Sequence, residues 1–298
     1  MNNFKDADII TAIITPFKEN GEIDYQGLEE LTEHLLETGS RGFVIGGTTG
    51  EGATLTHDEK IELFKQFAEM IHGRVPVIAG TGSNNTAQTI EFTNEVSSIK
   101  GIDMALIVAP YYNKPNQRGI KAHFKAITDN CDLPLMIYNI PGRTGITISN
   151  ETIIEMAKNP KIKGVKQCTS LEDLAMIIEE TDDDFLTYTG EDPQSLAAKT
   201  IGAAGVISVA SHIYGKTMRE MYDALAQGKI AKAGKLQRML IPKMQGLFLY
   251  PSPSPVKAIL NAQGYASGAC RLPIVDLDSS EKEKLAQVLG VTDLGVKE

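Results

Sequence analysis

The sequence predicts an α/β fold, namely a (β/α)8 TIM barrel followed by a C-terminal helical extension. Short apolar runs recur along the chain, each followed by a stretch with helical period, and their starts lie about 20 to 35 residues apart, the length of one strand–helix unit. Eight such units in one chain are typical of a closed parallel barrel. A doubly wound open sheet is the alternative, but residues 15–20 (TPFKEN) lack the glycine fingerprint expected after its first strand.

Each predicted strand is a short apolar run, and each predicted helix repeats apolar residues at a spacing of three or four. Leu28, Leu31 and Leu35 show that helical spacing, and a capping box from Thr56 to Glu59 begins the next helix. The eight predicted strands are Ile9–Ile14, Phe43–Ile45, Val75–Ala79, Met104–Val108, Leu135–Ile137, Ile162–Val165, Phe185–Tyr188 and Val206–Val209.

The roughly 90 residues after the last predicted strand contain helical patterns only. Three prolines in Pro251–Pro255 interrupt them, because proline fixes the backbone and removes a donor. We therefore predict a barrel over residues 1–225 and a C-terminal helical layer over residues 226–298, packed on the barrel. The predicted helices are Met218–Gln227, Ile230–Phe248, Pro255–Ala262 and Ser280–Leu289.

Composition excludes several classes of protein. The 298-residue chain is 42% hydrophobic and 22% charged, with a net charge of −9 and dispersed basic residues, which argues against a nucleic-acid partner. No apolar run has the length of a membrane span, and the N-terminus lacks the features of a signal peptide. These two absences predict a cytoplasmic protein without a membrane partner. Three cysteines and five histidines are scattered, which predicts no metal site. We also expect no cofactor.

A lysine and a tyrosine occupy matching places at the ends of neighbouring predicted strands. Lys166 follows the sixth apolar run and Tyr138 the fifth, and barrel enzymes build their sites at the carboxyl ends of strands. Strand alternation puts Lys166 on the same side as Gly164, which would leave room for its side chain in the lumen. Enclosure there would lower the pKa of the lysine and make it a nucleophile toward a ketone.

Other strand ends carry groups that suit an anionic substrate. Residues 46–52 (GGTTGEG) follow the second strand, and their backbone amides can form an anion-binding nest. Arg143 follows the fifth strand and could offer a bidentate fork to a carboxylate. An amine beside a phenol suits Schiff-base chemistry, which needs a proton shuttle. Together these groups predict an aldolase-type enzyme that acts on a keto acid.

At these positions the sequence resembles the dihydrodipicolinate synthase family of Schiff-base-forming aldolases, over nearly the whole chain. The order and spacing of several short motifs carry the resemblance, which implies condensation of pyruvate with aspartate 4-semialdehyde on the route to diaminopimelate and lysine. The motifs are Gly47–Glu51, Ala79–Gly82, Pro110–Asn113, Tyr138–Gly145, Gly164–Lys166 and Gly205–Ser208.

The resemblance also implies roles for individual residues. Lys166 would form the Schiff base, Tyr138 would exchange protons, and Thr48 and Tyr112 would complete the relay, with Tyr112 reaching in from a neighbouring subunit of a homotetramer. Arg143 would bind a carboxylate of the semialdehyde. The implied substrate-binding residues are Thr49, Ile207, Arg143 and Gly190.

Two rival functions share parts of this pattern. An N-acetylneuraminate lyase or keto-sugar-acid aldolase would keep the lysine but generally lack Arg143, and a barrel that binds a keto acid without turnover would not need the relay. Relatives that are inhibited by lysine carry a histidine and a glutamate where this chain has Lys60 and Gln88. A cation facing the ammonium of the ligand, with one carboxylate lost, predicts weak or absent inhibition by lysine.

Overall fold

The computed structural model describes residues 4–295, and its centre is a closed barrel of eight parallel strands. Each strand pairs with the next in sequence, and the eighth pairs with the first, so the predicted fold class is confirmed. The strands are β1 (Ile9–Ala12), β2 (Gly42–Ile45), β3 (Val77–Gly80), β4 (Met104–Val108), β5 (Leu135–Asn139), β6 (Ile162–Gln167), β7 (Leu186–Thr189) and β8 (Gly205–Ser208).

Helices follow the strands around the barrel. The predicted capping box is present at α2, where the Thr56 side chain and Glu59 exchange hydrogen bonds with each other's backbone. The helices that follow the barrel strands are α1 (Tyr25–Glu37), α2 (His57–Ile71), α3 (Thr86–Ser97), α4 (Gln117–Asn130), α5 (Pro141–Thr144), α6 (Asn150–Ala157), α7 (Leu171–Glu179), α8 (Ser195–Thr200) and α9 (Ser211–Ala226).

The C-terminal region continues with α10 (Ile230–Gly246), α11 (Ser254–Ala262) and α12 (Ser279–Leu289). Leu240 of α10, Leu260 of α11 and Leu285 of α12 are fully buried and belong to the same apolar cluster as the outer faces of the barrel strands. The helical extension is therefore packed on the barrel. The division at residues 225 and 226 stays a prediction. Within residues 4–295, no helix combines the length and apolarity needed to cross a bilayer.

The strands that carry the candidate site run beyond their apolar cores. β5 extends to Asn139 and β6 to Gln167. The strands predicted from the apolar runs end two residues earlier, at Ile137 and Val165. The parallel ladder continues because its bonds are made by the backbone, whatever side chain follows. This places Tyr138 and Lys166 within strands rather than on loops, where rigid neighbours hold them.

The barrel lumen is filled at its amino end and polar at its carboxyl end. Ile10, Ile78, Met136 and other alternate strand residues pack inside, together with Phe4 from the short helical turn Phe4–Asp6. The Tyr188 hydroxyl donates to the Ala7 carbonyl at 2.9 Å and fastens this N-terminal segment to the lumen. The amino end is thus packed with apolar side chains, and the carboxyl ends of the strands are where a barrel binds its ligand.

Candidate active site

Lys166 and Tyr138 lie side by side at the carboxyl end of the barrel. They are register partners on β6 and β5, and Tyr188 of β7 takes the matching place on the other side of the lysine. The Lys166 Nζ is 4.5 Å from the centroid of the Tyr138 ring, and only 7% and 6% of the two residues are exposed. The structure thus brings together the amine and the phenol that the sequence predicted to be neighbours.

Two glycines shape the space around the lysine, and they do so differently from the prediction. A Cβ at Gly164 would collide with the Leu186 carbonyl, so this glycine serves the close approach of β7 rather than the lysine side chain. A Cβ at Gly190 would collide with the Cys168 thiol and lie 2.9 Å from the Lys166 Cε. Gly190, just after β7, is therefore the residue that makes room for the lysine.

The amine and the phenol change each other's proton affinity. Burial raises the pKa of Tyr138, although nearby Lys166 opposes this. Burial lowers the pKa of Lys166, but the negative charges that Tyr138, Cys168 and Asp192 can carry outweigh it and raise the pKa overall. The predicted fall in the lysine pKa is therefore wrong, because it considered desolvation alone and left out the electrostatic influence of Tyr138, Cys168 and Asp192.

The coupling also determines which protonation states the site can hold. An ammonium facing a phenolate would require two desolvated charges in the same enclosed place. When an ammonium beside a phenol loses one proton, the pair can become an amine with a phenol or an ammonium with a phenolate. The neutral amine with the neutral phenol avoids the cost of desolvating two charges. That neutral state is the one in which Lys166 can attack a carbonyl carbon and Tyr138 can donate a proton.

A cavity of about 390 Å³ opens next to this pair, and three of the predicted residues line it. They are Thr48, Tyr138 and Arg143, and the nearby Thr48 hydroxyl acts to lower the pKa of the Tyr138 phenol, against the effect of burial. Thr49 is buried in the same loop, and Ile207 lies in β8 within the lumen cluster. The loop after β2, the end of β5 and the turn of α5 thus converge on one space that can hold a small anion.

Tyr112 differs from the other predicted residues because its side chain is exposed and lies outside the cavity of its own chain. It is 89% exposed and has a positive φ of 70°, a conformation that is disfavoured for a residue with a Cβ. The loop is fixed by its neighbours, because Asn84 donates to the Tyr111 carbonyl at 3.1 Å and Asn113 donates to the Asn84 carbonyl at 2.9 Å. Tyr111, not Tyr112, lines the cavity.

Comparisons with known proteins agree with this arrangement. The model of the dihydrodipicolinate synthetase family matches residues 5–291. The chain belongs to this family. The 4-hydroxy-tetrahydrodipicolinate synthase of Lactobacillus helveticus (strain DPC 4571) is 60% identical over 288 residues, which are 97% of this chain and 93% of that protein. Like its relatives in the dihydrodipicolinate synthetase family, the chain is an enzyme, a lyase of amino-acid biosynthesis.

Solved structures of dihydrodipicolinate synthases share the fold. The enzyme from Bacillus anthracis superposes with a TM-score of 0.93 at 42% identity, covering 97% of this chain and 99% of that chain. The enzyme from Cyanidioschyzon merolae, solved with lysine bound, has a TM-score of 0.91 at 41% identity, covering 96% of this chain and 97% of that chain.

A second cavity, of about 500 Å³, adjoins the first. His57, Lys60, Gln88 and Phe92 are among its lining residues, and Lys60 lines both cavities. The Lys60 Nζ lies 5.7 Å from the centroid of the Phe92 ring, and burial lowers the pKa of Lys60. Lys60 and Gln88, the two residues on which the sequence-based expectation of weak lysine inhibition rests, thus line one cavity.

Sequence reasoning missed a buried aspartate that helps to shape this site. Asp192, after β7, is 1% exposed; it accepts the Ser208 hydroxyl and the backbone N–H groups of Val209 and Ala210 at 3.0 and 2.9 Å. These bonds fix the end of β8, one residue after Ile207. Burial raises the pKa of Asp192. Its place four residues after the predicted strand Phe185–Tyr188, in the segment that follows a strand end, was the signal that could have identified it.

Proposed function

We propose that this chain is a 4-hydroxy-tetrahydrodipicolinate synthase that condenses pyruvate with L-aspartate 4-semialdehyde through an imine on Lys166. The observation that carries the proposal is the enclosed contact between the Lys166 amine and the Tyr138 ring, at the carboxyl end of the barrel and beside a cavity that carries an arginine. The shared name of relatives that are 60% identical supports the reaction.

The first half of the reaction activates pyruvate. The Lys166 nitrogen attacks the ketone carbon; the nitrogen then loses a proton and the carbonyl oxygen gains one, by way of Tyr138, to give a neutral carbinolamine. That hydroxyl then leaves as water with a proton donated by Tyr138, and a protonated imine remains. Because the imine nitrogen withdraws electrons, a proton of the neighbouring methyl group can leave to Tyr138, which gives a nucleophilic enamine.

The second half forms the carbon–carbon bond and frees the enzyme. The enamine carbon attacks the aldehyde carbon of the semialdehyde, and the aldehyde oxygen takes a proton to become the hydroxyl group of the product. The amino group of the semialdehyde then attacks the imine carbon, which closes the ring and expels the Lys166 amine. Every step requires proton transfer, so a relay from Tyr138 through Thr48 toward solvent suits the chemistry.

The remaining predicted residues bind the carboxylates of the substrates. Thr49 and the backbone of Ile207 hold the carboxylate of pyruvate, and Arg143 binds that of the semialdehyde from its position on the cavity wall. Gly190 contributes through the absence of a side chain, because it leaves the Lys166 chain free to reach the substrate. Arg143 is also the residue that distinguishes this reaction from sugar-acid cleavage.

Tyr112 acts in a neighbouring subunit of a cytoplasmic homotetramer, where it completes the relay. Its 89% exposure and positive φ support this assignment, because a large aromatic side chain held in a disfavoured conformation suits a contact outside its own chain. Covering the ring would remove apolar surface from water and offset the backbone cost.

Lysine inhibits this enzyme weakly or not at all. Lys60 would face the ammonium of the ligand in the second cavity, and Gln88 offers no charge to compensate. Initial rates measured with added lysine test this, together with the variant Lys60→His/Gln88→Glu. The variant should gain inhibition that the unaltered enzyme lacks. Strong inhibition of the unaltered enzyme would contradict the proposal.

A comparison of substrates tests the function itself. The purified enzyme is supplied with pyruvate and either aspartate semialdehyde, in a coupled reductase assay, or a sugar aldehyde as acceptor. We expect turnover with the semialdehyde and at least 100-fold lower kcat/KM with the sugar, about 2.7 kcal/mol of discrimination. Turnover with the sugar alone would assign the chain to a sister aldolase, and pyruvate binding without turnover would make it a binding protein.

A further inference from the structure

A buried ion pair lies behind the loop that carries Thr48 and Thr49. The Lys257 Nζ of α11 is 2.7 Å from the Glu51 Oε1, and only 1% and 3% of the two side chains are exposed. The same ammonium donates to the Ala269 carbonyl at 3.0 Å and lies 4.3 Å from the centroid of the Phe17 ring. A buried charge needs this degree of pairing, since it has lost its hydration.

The second oxygen of Glu51 is held from the C-terminal region as well. It accepts the backbone N–H of Arg271 at 2.7 Å, 220 residues later in the chain. The Arg271 guanidinium in turn makes two bonds to Glu59, at 2.9 and 2.6 Å, and one to the Thr54 carbonyl at 3.1 Å. The segment after α11 is thereby fastened to the whole connection between β2 and α2.

The backbone of Glu51 is in a conformation that its residue type does not favour. Its φ is 54°, in the left-handed region, where glycine is the usual residue. The loop has glycines at positions 46, 47, 50 and 52, so a glutamate at this turn needs another reason. The Glu51 N–H donates to the Thr48 carbonyl at 3.1 Å, so the turn held by the carboxylate is the one that begins at Thr48.

We propose that Glu51 and Lys257 are positioning residues for the reaction: their ion pair lets the C-terminal helical region fix the Thr48 hydroxyl against Tyr138. This inference rests on the proposed function, in which Thr48 belongs to the proton relay. Neither charged group contacts Lys166 or Tyr138, the two residues that react. Their effect is transmitted over three residues of loop backbone, through the bond between Glu51 and Thr48.

Glu51→Gln tests the proposal, because it removes the charge and keeps the shape. We expect kcat to fall about 10- to 100-fold, the scale on which small misplacements affect catalysis. The amount of pyruvate imine trapped on Lys166 at saturating pyruvate should stay within about twofold of the unaltered enzyme, because the lysine lies on a separate strand. Glu51→Asp, which keeps the charge but retracts it, should fold readily and show a smaller loss of kcat in the same direction.

A double-mutant cycle with Thr48→Val separates positioning from general stability. If Glu51 acts through Thr48, Glu51→Gln should lower kcat by less than about twofold in the Thr48→Val background. The matched control is Asp8→Asn, which breaks the partly buried ion pair between Asp8 and Arg219 at the amino end of the barrel. It should lower the temperature of unfolding and leave kcat unchanged.

The experiment distinguishes a failure of the positioning role from a failure of the proposed function. If Thr48→Val lowers kcat but Glu51→Gln lowers it by the same factor in both backgrounds, or if Asp8→Asn lowers kcat as much, the positioning role is overturned and the proposed function stands. If Thr48→Val leaves kcat unchanged, the relay of the proposed function fails first, and the role of Glu51 in it fails as a consequence.

Discussion

Replacing Gly190 with alanine adds a single methyl group beside the proposed nucleophile. The new Cβ would lie 2.9 Å from the Lys166 Cε and 3.3 Å from its Cγ, and would collide with the Cys168 thiol. Since ordinary contacts begin at 3.4 Å, the lysine chain must retreat by about 0.5 Å while the thiol turns away. Misplacement by about 1 Å can cost 10²-fold in rate, so half of that predicts about a tenfold lower kcat, or about 1.4 kcal/mol.

Steady-state kinetics and the rate of borohydride trapping with pyruvate measure this effect. We expect both rates to fall together in Gly190→Ala, with a loss of about 1–3 kcal/mol in the free energy of unfolding from overpacking. Adding Cys168→Ala removes one of the two collisions and should restore part of the stability but not the full rate. Gly234→Ala in α10, where the nearest atom is 3.4 Å away on a flexible arginine, should leave kcat unchanged. An unaltered trapping rate in Gly190→Ala would refute the reasoning.

Two further predictions concern assembly and pH. Tyr112→Ala should lower kcat, and mixing it with Lys166→Met after dissociation and reassembly should restore activity, because one subunit would supply the lysine and the other the tyrosine; no restoration would show that Tyr112 does not act across subunits. His212 is buried and its Nε2 accepts the Ile14 N–H at 3.2 Å, and burial lowers its pKa from 6.5 to about 4. The unfolded chain therefore binds the proton first, so this stability is complete above pH 6.5 and is lost as the pH falls from there toward 4, by about 2 kcal/mol between pH 7 and pH 5. Urea unfolding of His212→Gln should show a shallower loss over that range, and an unchanged slope would contradict the assignment.

The barrel and the central pair of the site were predictable because local patterns determine them. Apolar runs at the spacing of strand–helix units predicted all eight strands, and the carboxyl-end rule then made Lys166 and Tyr138 neighbours. Strand ends were less accurate: β5 and β6 continue into polar residues, since a backbone ladder does not need apolar side chains. α9 begins at Ser211, well before the predicted Met218, because its first turns are buried against the barrel rather than amphipathic.

Features that depend on contacts between distant segments were not predictable. The collision that makes Gly190 necessary involves Lys166 on another strand, and the pair of Glu51 and Lys257 joins a barrel loop to α11. Neither leaves a periodic signal in the sequence. The raised pKa of Lys166 was missed for the same reason, since it depends on partners brought close only by the fold.

The most direct test of the account is to identify the residue that carries pyruvate. Borohydride reduction with pyruvate, followed by peptide mapping, should place the adduct on Lys166, and Lys166→Met should carry none while remaining folded. Lys60 is the informative alternative, because it lines the cavity beside Tyr138 and burial lowers its pKa. An adduct on Lys60, or an undiminished adduct in Lys166→Met, would contradict the central claim that the buried amine beside Tyr138 is the nucleophile.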